Sequence, residues 1–345
     1  MTIKIITGDA LHVLKTLPPA CVNCCVTSPP YWGMRDYGVE GQLGAEATHV
    51  EYVDALVAIM REVRRVLRDD GTLWLNLGDC YAAARGGTHM PAETLAGGVN
   101  GFMDGGNVNR GRKDGYSPSR DAKKIGLKHK DLCMIPARVA LALQADGWWL
   151  RSEIVWVKPN PMPESVTDRP TCAHEKIFLL SKSAKYFYDA DAIAEDAIYG
   201  NDDRVGRAKE DHKRMPTNQV SGIRPRKDKQ RGHSRRHAGF NERLDKAEQR
   251  SDKRNKRNVW TVATHPYSGA HFATFPPGLI EPCILAGCPK GGTVLDPFFG
   301  AGTTGLVADR LGRNCIGIEL NPDYAALAHK RIADDAGLFQ TVEAE

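Results

Sequence analysis

The sequence lacks long apolar runs: none approaches the ~20 residues that a membrane-spanning helix requires. The N-terminal segment MTIKIITGDA also lacks the basic-then-apolar layout of a secretory signal, so we expect a cytoplasmic protein with no membrane partner. Cysteine is sparse and odd in number, nine in 345 residues, which favours reduced thiols over a disulfide scaffold. In contrast, 41% of the residues are apolar, which excludes disorder throughout and allows a substantial core.

The net charge of +5 is unevenly distributed along the chain. Residues 201–258 hold 19 of the 47 Lys and Arg residues but only 9 of the 42 Asp and Glu residues. This basic insert indicates a polyanionic partner, most often a nucleic acid, and a solvated linker is the alternative on charge alone. Its scarcity of aromatic residues disfavours a stacking platform for single strands. The residues expected to contact DNA phosphates or base edges are Arg224, Arg226, Lys227, Arg231, Arg235, Arg236, Lys253, Arg254 and Arg257.

Strand and helix patterns alternate, which predicts an α/β fold with a parallel sheet. The predicted strands are 3–6, 21–27, 72–77, 149–158, 293–295 and 314–320, with a further strand pair at 177–180 and 186–188. The predicted helices are 10–16, 51–67, 136–145, 277–287, 303–311 and 322–332. The Gly-rich polar segment 85–126 is predicted to be a mobile loop.

A glycine-rich turn, Asp296-Pro-Phe-Phe-Gly-Ala-Gly-Thr-Thr-Gly305, lies between a predicted strand and a predicted helix. Glycines at this position let the backbone approach a ligand that the helix N–H groups face. No Gly-Lys-Ser/Thr follows, so the turn is not a P-loop. Glu319 ends the next strand, where a carboxylate can accept hydrogen bonds from ribose hydroxyls. The pattern indicates a nucleoside cofactor, with a purely structural turn as the alternative.

A second motif, Ser28-Pro-Pro-Tyr31, follows the strand predicted at 21–27, at the end where open α/β sheets bind ligands. The prolines fix the backbone, so the Ser28 hydroxyl and the Pro29 carbonyl can be held as convergent acceptors. Tyr31 adds an aromatic face. Two acceptors beside a ring suit the exocyclic amine of a planar base, and a proline-rich strand end with a core tyrosine is the alternative.

Together the two motifs resemble those of the DNA amino-methyltransferases, which use S-adenosylmethionine. Ser-Pro-Pro-Tyr is typical of the cytosine-N4 enzymes, whereas adenine-N6 enzymes more often carry Asp or Asn first. The order of catalytic motif, basic insert and cofactor motif resembles the β-arranged group of the family. The resemblance covers about residues 3–80, 130–190 and 258–333.

This resemblance implies a Rossmann-like, circularly ordered methyltransferase sheet with an inserted DNA-recognition region. Residues 1–190 would form the catalytic half with the mobile loop, 191–258 the target-recognition insert, and 259–345 the cofactor-binding half of the same domain. The implied partner is double-stranded DNA, in a bacterial or phage setting, and the implied cofactor product is S-adenosylhomocysteine. A cognate restriction endonuclease and a second copy of the chain are further candidate partners.

The resemblance also assigns roles to single residues. Ser28 and Pro29 would accept hydrogen bonds from the target amine, Pro30 would complete the rigid motif, and Tyr31 would stack on the extruded base. No metal is expected. The residues implied to bind the cofactor are Asp9, Thr27, Phe275, Asp296, Phe298, Gly300, Gly302, Thr303, Thr304 and Glu319.

Two competing chemistries fit the cysteines poorly. Cytosine-C5 methylation needs a thiolate, usually in a Pro-Cys loop, whereas Pro282-Cys283 falls inside a predicted helix. Zinc binding by Cys21 and Cys24 is disfavoured because strand alternation points them to opposite faces. We therefore expect site-specific methyl transfer to the N4 amine of cytosine in duplex DNA. The alternatives are adenine-N6 methylation, an RNA or protein-glutamine methyltransferase, and a non-catalytic DNA-binding protein on a methyltransferase scaffold.

Overall fold

The structure, a computed structural model, describes residues 1–34, 39, 41–83, 122–196, 253–264 and 275–335, and the backbone of 341–344. Most of the Gly-rich segment and of the basic insert lie outside these ranges, including the six predicted DNA contacts from Arg224 to Arg236. The chain divides into two units, one formed by Met1–Ala192 with Arg257–Glu345 and the other by Ile193–Lys256.

The strands and helices alternate as the sequence predicts. The strands are β1 (Thr2–Thr7), β2 (Val22–Thr27), β3 (Leu67–Leu77), β4 (Trp149–Val157), β5 (His174–Ser181), β6 (Glu195–Asp196), β7 (Lys253–Arg254), β8 (Val259–Thr261), β9 (Thr293–Asp296), β10 (Asn314–Glu319) and β11 (Thr341–Ala344). The helices are α1 (Ala10–Thr16), α2 (His49–Val66), α3 (Ala122–Ile125), α4 (Ile135–Ala145), α5 (Pro277–Gly287), α6 (Thr303–Arg310) and α7 (Pro322–Asp335).

One nine-stranded sheet organises the larger unit, in the order β11-β1-β10-β9-β2-β3-β5-β4-β8 among the described strands. All neighbours in it are parallel except β5, which runs antiparallel to both β3 and β4. The predicted α/β class with a mostly parallel, Rossmann-like sheet is therefore confirmed. In the smaller unit, β6 and β7 form an antiparallel pair.

The centre of the sheet joins segments from opposite ends of the chain. From the adjacent strands β2 and β9, the chain continues to opposite sides, to β3 in one direction and to β10 in the other. This reversal is the topological switch point at which open α/β sheets bind ligands, outside the carboxyl ends of the strands. Both sequence motifs follow these two strands, so they meet at one edge of the sheet.

Helix α2 shows why the elements form where they do. Thr48 and Glu51 make a capping box: the Thr48 hydroxyl accepts from the Glu51 N–H at 3.2 Å, and the Glu51 carboxylate accepts from the Thr48 N–H at 2.9 Å. The helix therefore begins at His49, two residues before the predicted start at residue 51. Its buried face carries Tyr52, Leu56 and Met60 into the core beneath the sheet. No helix in the described ranges is long and apolar enough to cross a membrane.

Besides such shifts at element ends, three predicted segments differ more from the structure. Strand β3 begins at Leu67 rather than at residue 72, because residues 68–71 form an irregularity between the pairs Leu67–Val22 and Thr72–Cys24. Residues 122–125 at the end of the predicted loop are helical. The strand predicted at 186–188, as the partner of the strand at 177–180, is wrong because these residues form no strand. Strand β5 pairs with β3 and β4, and Tyr188 lies over Trp74 with ring centroids 6.5 Å apart.

Candidate active site

The glycine-rich turn is held by a buried carboxylate, Asp296, at the end of β9. Its side chain accepts hydrogen bonds from the hydroxyls of Thr27 and Thr304, each at 2.6 Å, and from the N–H of Phe298 at 3.0 Å. Burial raises the pKa of Asp296 to about 6, because the charged form is poorly solvated there. These bonds fasten the turn to β2 and α6, so Thr27, Asp296 and Thr304, all predicted to bind the cofactor, hold the shape of the turn.

The two glycines of the turn have different surroundings. Gly300 and Gly302 have φ angles of 51° and 76°, in the left-handed region that favours glycine. An added Cβ at Gly302 would lie 2.9 Å from the Cβ of Ala328 on α7, whereas one at Gly300 would meet no protein atom within 4 Å. Gly302 therefore permits helix packing. Gly300 borders open space that a ligand can fill.

Glu319 lies beside that space, at the end of β10. One carboxylate oxygen accepts from the Gly300 N–H at 2.7 Å and the other from the Asn321 N–H at 2.9 Å. Burial raises its pKa above the ordinary value. A carboxylate offers about four acceptor positions, so the group can still accept from a hydroxyl. An open cradle at Gly300 beside a fixed carboxylate fits the ribose of a nucleoside cofactor.

The other residues predicted to bind the cofactor surround the same edge. Asp9 follows β1 and caps α1, accepting from the His12 N–H at 2.8 Å. The Thr303 hydroxyl, on α6, accepts from Arg331 at 3.0 Å. Phe275 precedes α5, and both it and Phe298 are partly buried.

The Ser-Pro-Pro-Tyr motif extends from β2 at this edge. The Ser28 hydroxyl lies 3.3 Å from the Tyr31 hydroxyl, which donates to a carboxylate oxygen of Glu175 at 2.6 Å. The Pro30 carbonyl accepts from the Tyr52 hydroxyl on α2 at 3.0 Å, and Pro29 is buried. The segment is thus anchored through both Tyr31 and Pro30, which fixes the position of Ser28.

Tyr31 is confined at its ring as well as at its hydroxyl. A Cβ added at Gly78, just after β3, would lie 2.5 Å from Cε2 of the Tyr31 ring, so only glycine lets the ring lie there. Burial, and then the nearby Glu175 carboxylate, raise the pKa of Tyr31 well above its ordinary value. Tyr31 therefore keeps its phenolic proton at neutral pH.

Sequence reasoning missed three residues of this cluster: Asn76 on β3, Lys158 after β4 and Glu175 on β5. The Asn76 amide nitrogen lies 2.7 Å from the Tyr31 hydroxyl, 2.9 Å from Glu175 and 3.3 Å from Ser28. Lys158 forms an ion pair with the other Glu175 oxygen. The available signal was Asn76 itself, a polar residue within the buried run TLWLNL.

Asn76 is 4% exposed, and its side-chain carbonyl has no hydrogen-bond partner within the described ranges. Leaving such a group unpaired costs about 1–3 kcal/mol. A flipped amide would turn that carbonyl toward the Glu175 carboxylate, two acceptors facing each other. The hydrogen bonds to Tyr31 and Glu175 therefore fix the orientation of the Asn76 amide, and its carbonyl oxygen is left without a partner in the described ranges.

The remaining predicted residues have simpler environments. Cys283 lies inside α5, as predicted, and its thiol contacts the Leu279 carbonyl at 3.7 Å. Of the predicted DNA contacts, Lys253 and Arg254 lie on β7, where Arg254 pairs with Glu195 at 3.3 Å, and Arg257 is exposed.

Comparison with known proteins agrees with this geometry. A family model described as DNA methylase matches residues 22–330. The chain belongs to this family. As a DNA amino-methyltransferase, the protein uses S-adenosylmethionine as methyl donor, in accord with the two motifs and the cradle beside Glu319.

The relatives of this DNA methylase include Type II enzymes that match it along most of their length. The Type II methyltransferase M.SmaI of Serratia marcescens is 44% identical over 329 residues, which cover 95% of this chain and 90% of that protein. M.XycI of Xanthomonas campestris pv. cyanopsidis is 45% identical over 325 residues, with 94% and 86% covered.

Solved structures share the fold. TTHA0409 of Thermus thermophilus, described as a DNA modification methylase and complexed with S-adenosyl-L-methionine, aligns with a TM-score of 0.56 at 22% identity, covering 99% of this chain and 97% of that one. The cytosine-N4-specific PvuII DNA methyltransferase aligns with a TM-score of 0.55 at 18% identity, covering 97% and 92%.

Proposed function

We propose that this DNA methylase methylates the exocyclic N4 amine of cytosine within a specific duplex sequence. The observation that carries the proposal is the position of Ser28, a neutral hydroxyl at the carboxyl end of β2 next to the cofactor turn on β9. Ser-Pro-Pro-Tyr resembles the motif of the cytosine-N4 enzymes, whereas the adenine-N6 enzymes more often carry Asp or Asn at the position of Ser28. Adenine-N6 methylation is the alternative outcome.

On the cofactor side, Glu319 would accept from the ribose hydroxyls, and Gly300 would let the backbone approach the ligand. Asp9, Phe275, Phe298 and Thr303 would line the adenine, ribose and methionine parts. Thr27, Asp296, Gly302 and Thr304 would act indirectly by holding the turn, in keeping with their contacts. When bound, S-adenosylmethionine supplies a methyl group that is already activated by its sulfonium.

On the target side, the amine cannot reach the donor while its base is stacked, so the base must leave the duplex. The Ser28 hydroxyl and the Pro29 carbonyl would accept from the amine and aim its lone pair at the methyl group. Tyr31, fixed by Gly78 and Glu175, would support the extruded base. Positioning and exclusion of water supply the rate in this scheme, without a covalent bond to the protein.

The basic insert would hold the duplex through its phosphates, because 19 of its residues are Lys or Arg. A few of its Arg side chains would read base edges in the major groove. A restriction endonuclease of matching sequence specificity is a further proposed partner, since the related enzymes are Type II methyltransferases.

Mass spectrometry of the product tests the proposal. Purified enzyme and deuterated S-adenosylmethionine are incubated with unmethylated plasmid, which is then digested to nucleosides. We expect labelled N4-methylcytosine, and the Ser28→Ala variant prepared in parallel controls for contaminating methylases. Labelled N6-methyladenine alone would overturn the cytosine assignment. DNA binding with no heat of cofactor binding in calorimetry would instead support a non-catalytic DNA-binding protein.

A further inference from the structure

Three oxygens form a hydrogen-bonded chain at the carboxyl ends of the strands: the Ser28 hydroxyl, the Tyr31 hydroxyl and one carboxylate oxygen of Glu175. They are separated by 3.3 Å and 2.6 Å. Two neighbouring hydroxyls can donate in either direction, but an ionised carboxylate can only accept. The single Tyr31 proton must therefore point to Glu175, and the Tyr31 oxygen is left as an acceptor for the Ser28 proton.

Two neighbours reinforce this direction. The Asn76 amide donates to the Tyr31 oxygen at 2.7 Å, which requires that oxygen to accept, and it also donates to Glu175 at 2.9 Å. Lys158 forms an ion pair with the second Glu175 oxygen. Both oxygens of the carboxylate thus face hydrogen-bond donors.

We propose that Glu175 is a positioning residue that sets the polarity of the chain from Ser28 through Tyr31 to its own carboxylate. This inference rests on the proposed role of Ser28. With its proton committed to Tyr31, Ser28 presents only lone pairs to the target and accepts an amine proton. If the hydrogen bonds pointed in the opposite direction, the Ser28 proton would face the amine. It would then occupy the nitrogen lone pair that attacks the methyl group.

Replacing Glu175 by Gln places a donor, in place of an acceptor, at the end of the hydrogen-bonded chain. Lys158 requires an acceptor, so the amide oxygen of the Gln side chain would face Lys158 and its NH₂ group would face Tyr31. The shape of the side chain is unchanged. We expect kcat to fall about 10- to 100-fold, the range for a misdirected hydrogen bond to a charged group. The KM values for DNA and cofactor should change little, because neither ligand touches Glu175 in the proposed arrangement.

The experiment measures methyl transfer to duplex DNA by the full-length E175Q, Y31F and Y31F/E175Q enzymes, with thermal denaturation and cofactor calorimetry for each. Y31F alone should lower kcat, because it interrupts the chain. In the Y31F background, E175Q should have little further effect on kcat. The control is E153Q, which removes the Glu153–Lys176 ion pair of the same two strands and should keep wild-type kcat. Strand alternation places that pair on the opposite face of the sheet.

Three outcomes would overturn the proposal: wild-type kcat in folded E175Q, wild-type kcat in Y31F, or an equal loss from E175Q with and without the Tyr31 hydroxyl. If E175Q does not fold, the Y31F result still decides. The readout counts methyl groups and not the modified base. An enzyme found to make N6-methyladenine would therefore lose the cytosine assignment while the role of Glu175 is still tested.

Discussion

Ser28 lies at the point of the fold where we propose that the target amine binds. Its hydroxyl is partly buried, lies at the switch point of the sheet and belongs to a polar cluster drawn from β2, β3 and β5. The two prolines that follow, Pro29 and Pro30, restrict the backbone on which this hydroxyl is held.

Removing that oxygen should affect turnover and spare binding. We expect Ser28→Ala to lower kcat about 10- to 100-fold, since the proposed hydrogen bond between Ser28 and the reacting amine is lost. The affinity for duplex DNA, measured by fluorescence anisotropy, should stay near wild type. Ser152→Ala, a change of the same kind on β4, is the matched control. Equal kcat values for the two variants would contradict a catalytic role for Ser28.

At this scale, the sequence points to candidate residues that lie in short motifs. Ser28, Tyr31 and Glu319 stand out as candidates because two or three informative neighbours accompany each, and their roles stay predictions. Glu175 and Asn76 were not, because they lie 144 and 45 residues from Tyr31 and no local pattern links them. Only the register of β3 against β5 brings them together.

Among the elements, the glycine turn between β9 and α6 meets two requirements: close packing against α7 and open space for a ligand. Gly300 and Gly302 both adopt left-handed φ angles, but only Gly302 is crowded by α7. A pair of alanine variants can therefore separate packing from ligand approach.

We expect Gly300→Ala to cost about 1–2 kcal/mol of stability from backbone strain. Because its new methyl group enters the cofactor space, it should also weaken S-adenosylmethionine binding. Gly302→Ala should cost a further amount of about 1–3 kcal/mol, because Ala328 must move. Chemical denaturation and calorimetry measure the two effects. A Gly300→Ala protein with unchanged cofactor affinity would contradict the cradle.

Elements with strong local signals were predicted closely. Helices α1 and α5 match their predicted bounds, because Asp9 caps one and prolines begin the other. The strand expected at 186–188 failed because Tyr188 stacks on Trp74 and Tyr186 contacts the Tyr188 ring, without pairing to a strand. Strands β8 and β11 are short and acquire their conformation from their neighbours, which no local pattern reveals.

For the molecule as a whole, the buried Asp296 links stability to pH. Its pKa rises from 3.8 in an exposed setting to about 6 in the fold, so the folded protein binds the proton more tightly. The resulting stabilisation is full below pH 3.8 and disappears as the pH rises through about 6. It is worth at most about 3 kcal/mol.

The variant Asp296→Asn should remove this dependence, because it resembles the protonated form and cannot ionise. We expect the difference in unfolding free energy between wild type and variant to change by about 1–1.5 kcal/mol between roughly pH 5 and pH 7.5. Urea titrations across that range measure it. A constant difference would show that Asp296 does not titrate there.

The adjacency of β2 and β9 also orders events during synthesis. The Thr27–Asp296 bond spans 269 residues, and β1 pairs only with β10 and β11 in the described sheet. At a translation rate of roughly 5–20 residues per second, β2 emerges about 13–54 seconds before β9, its neighbour on one side. Through that interval the nascent chain carries an unpaired sheet edge, and an N-terminal strand with nowhere to dock. Completion of the proposed catalytic centre must therefore wait for the C-terminal strands. A chain whose synthesis ends before residue 293 carries Ser-Pro-Pro-Tyr but lacks β9, the strand beside β2.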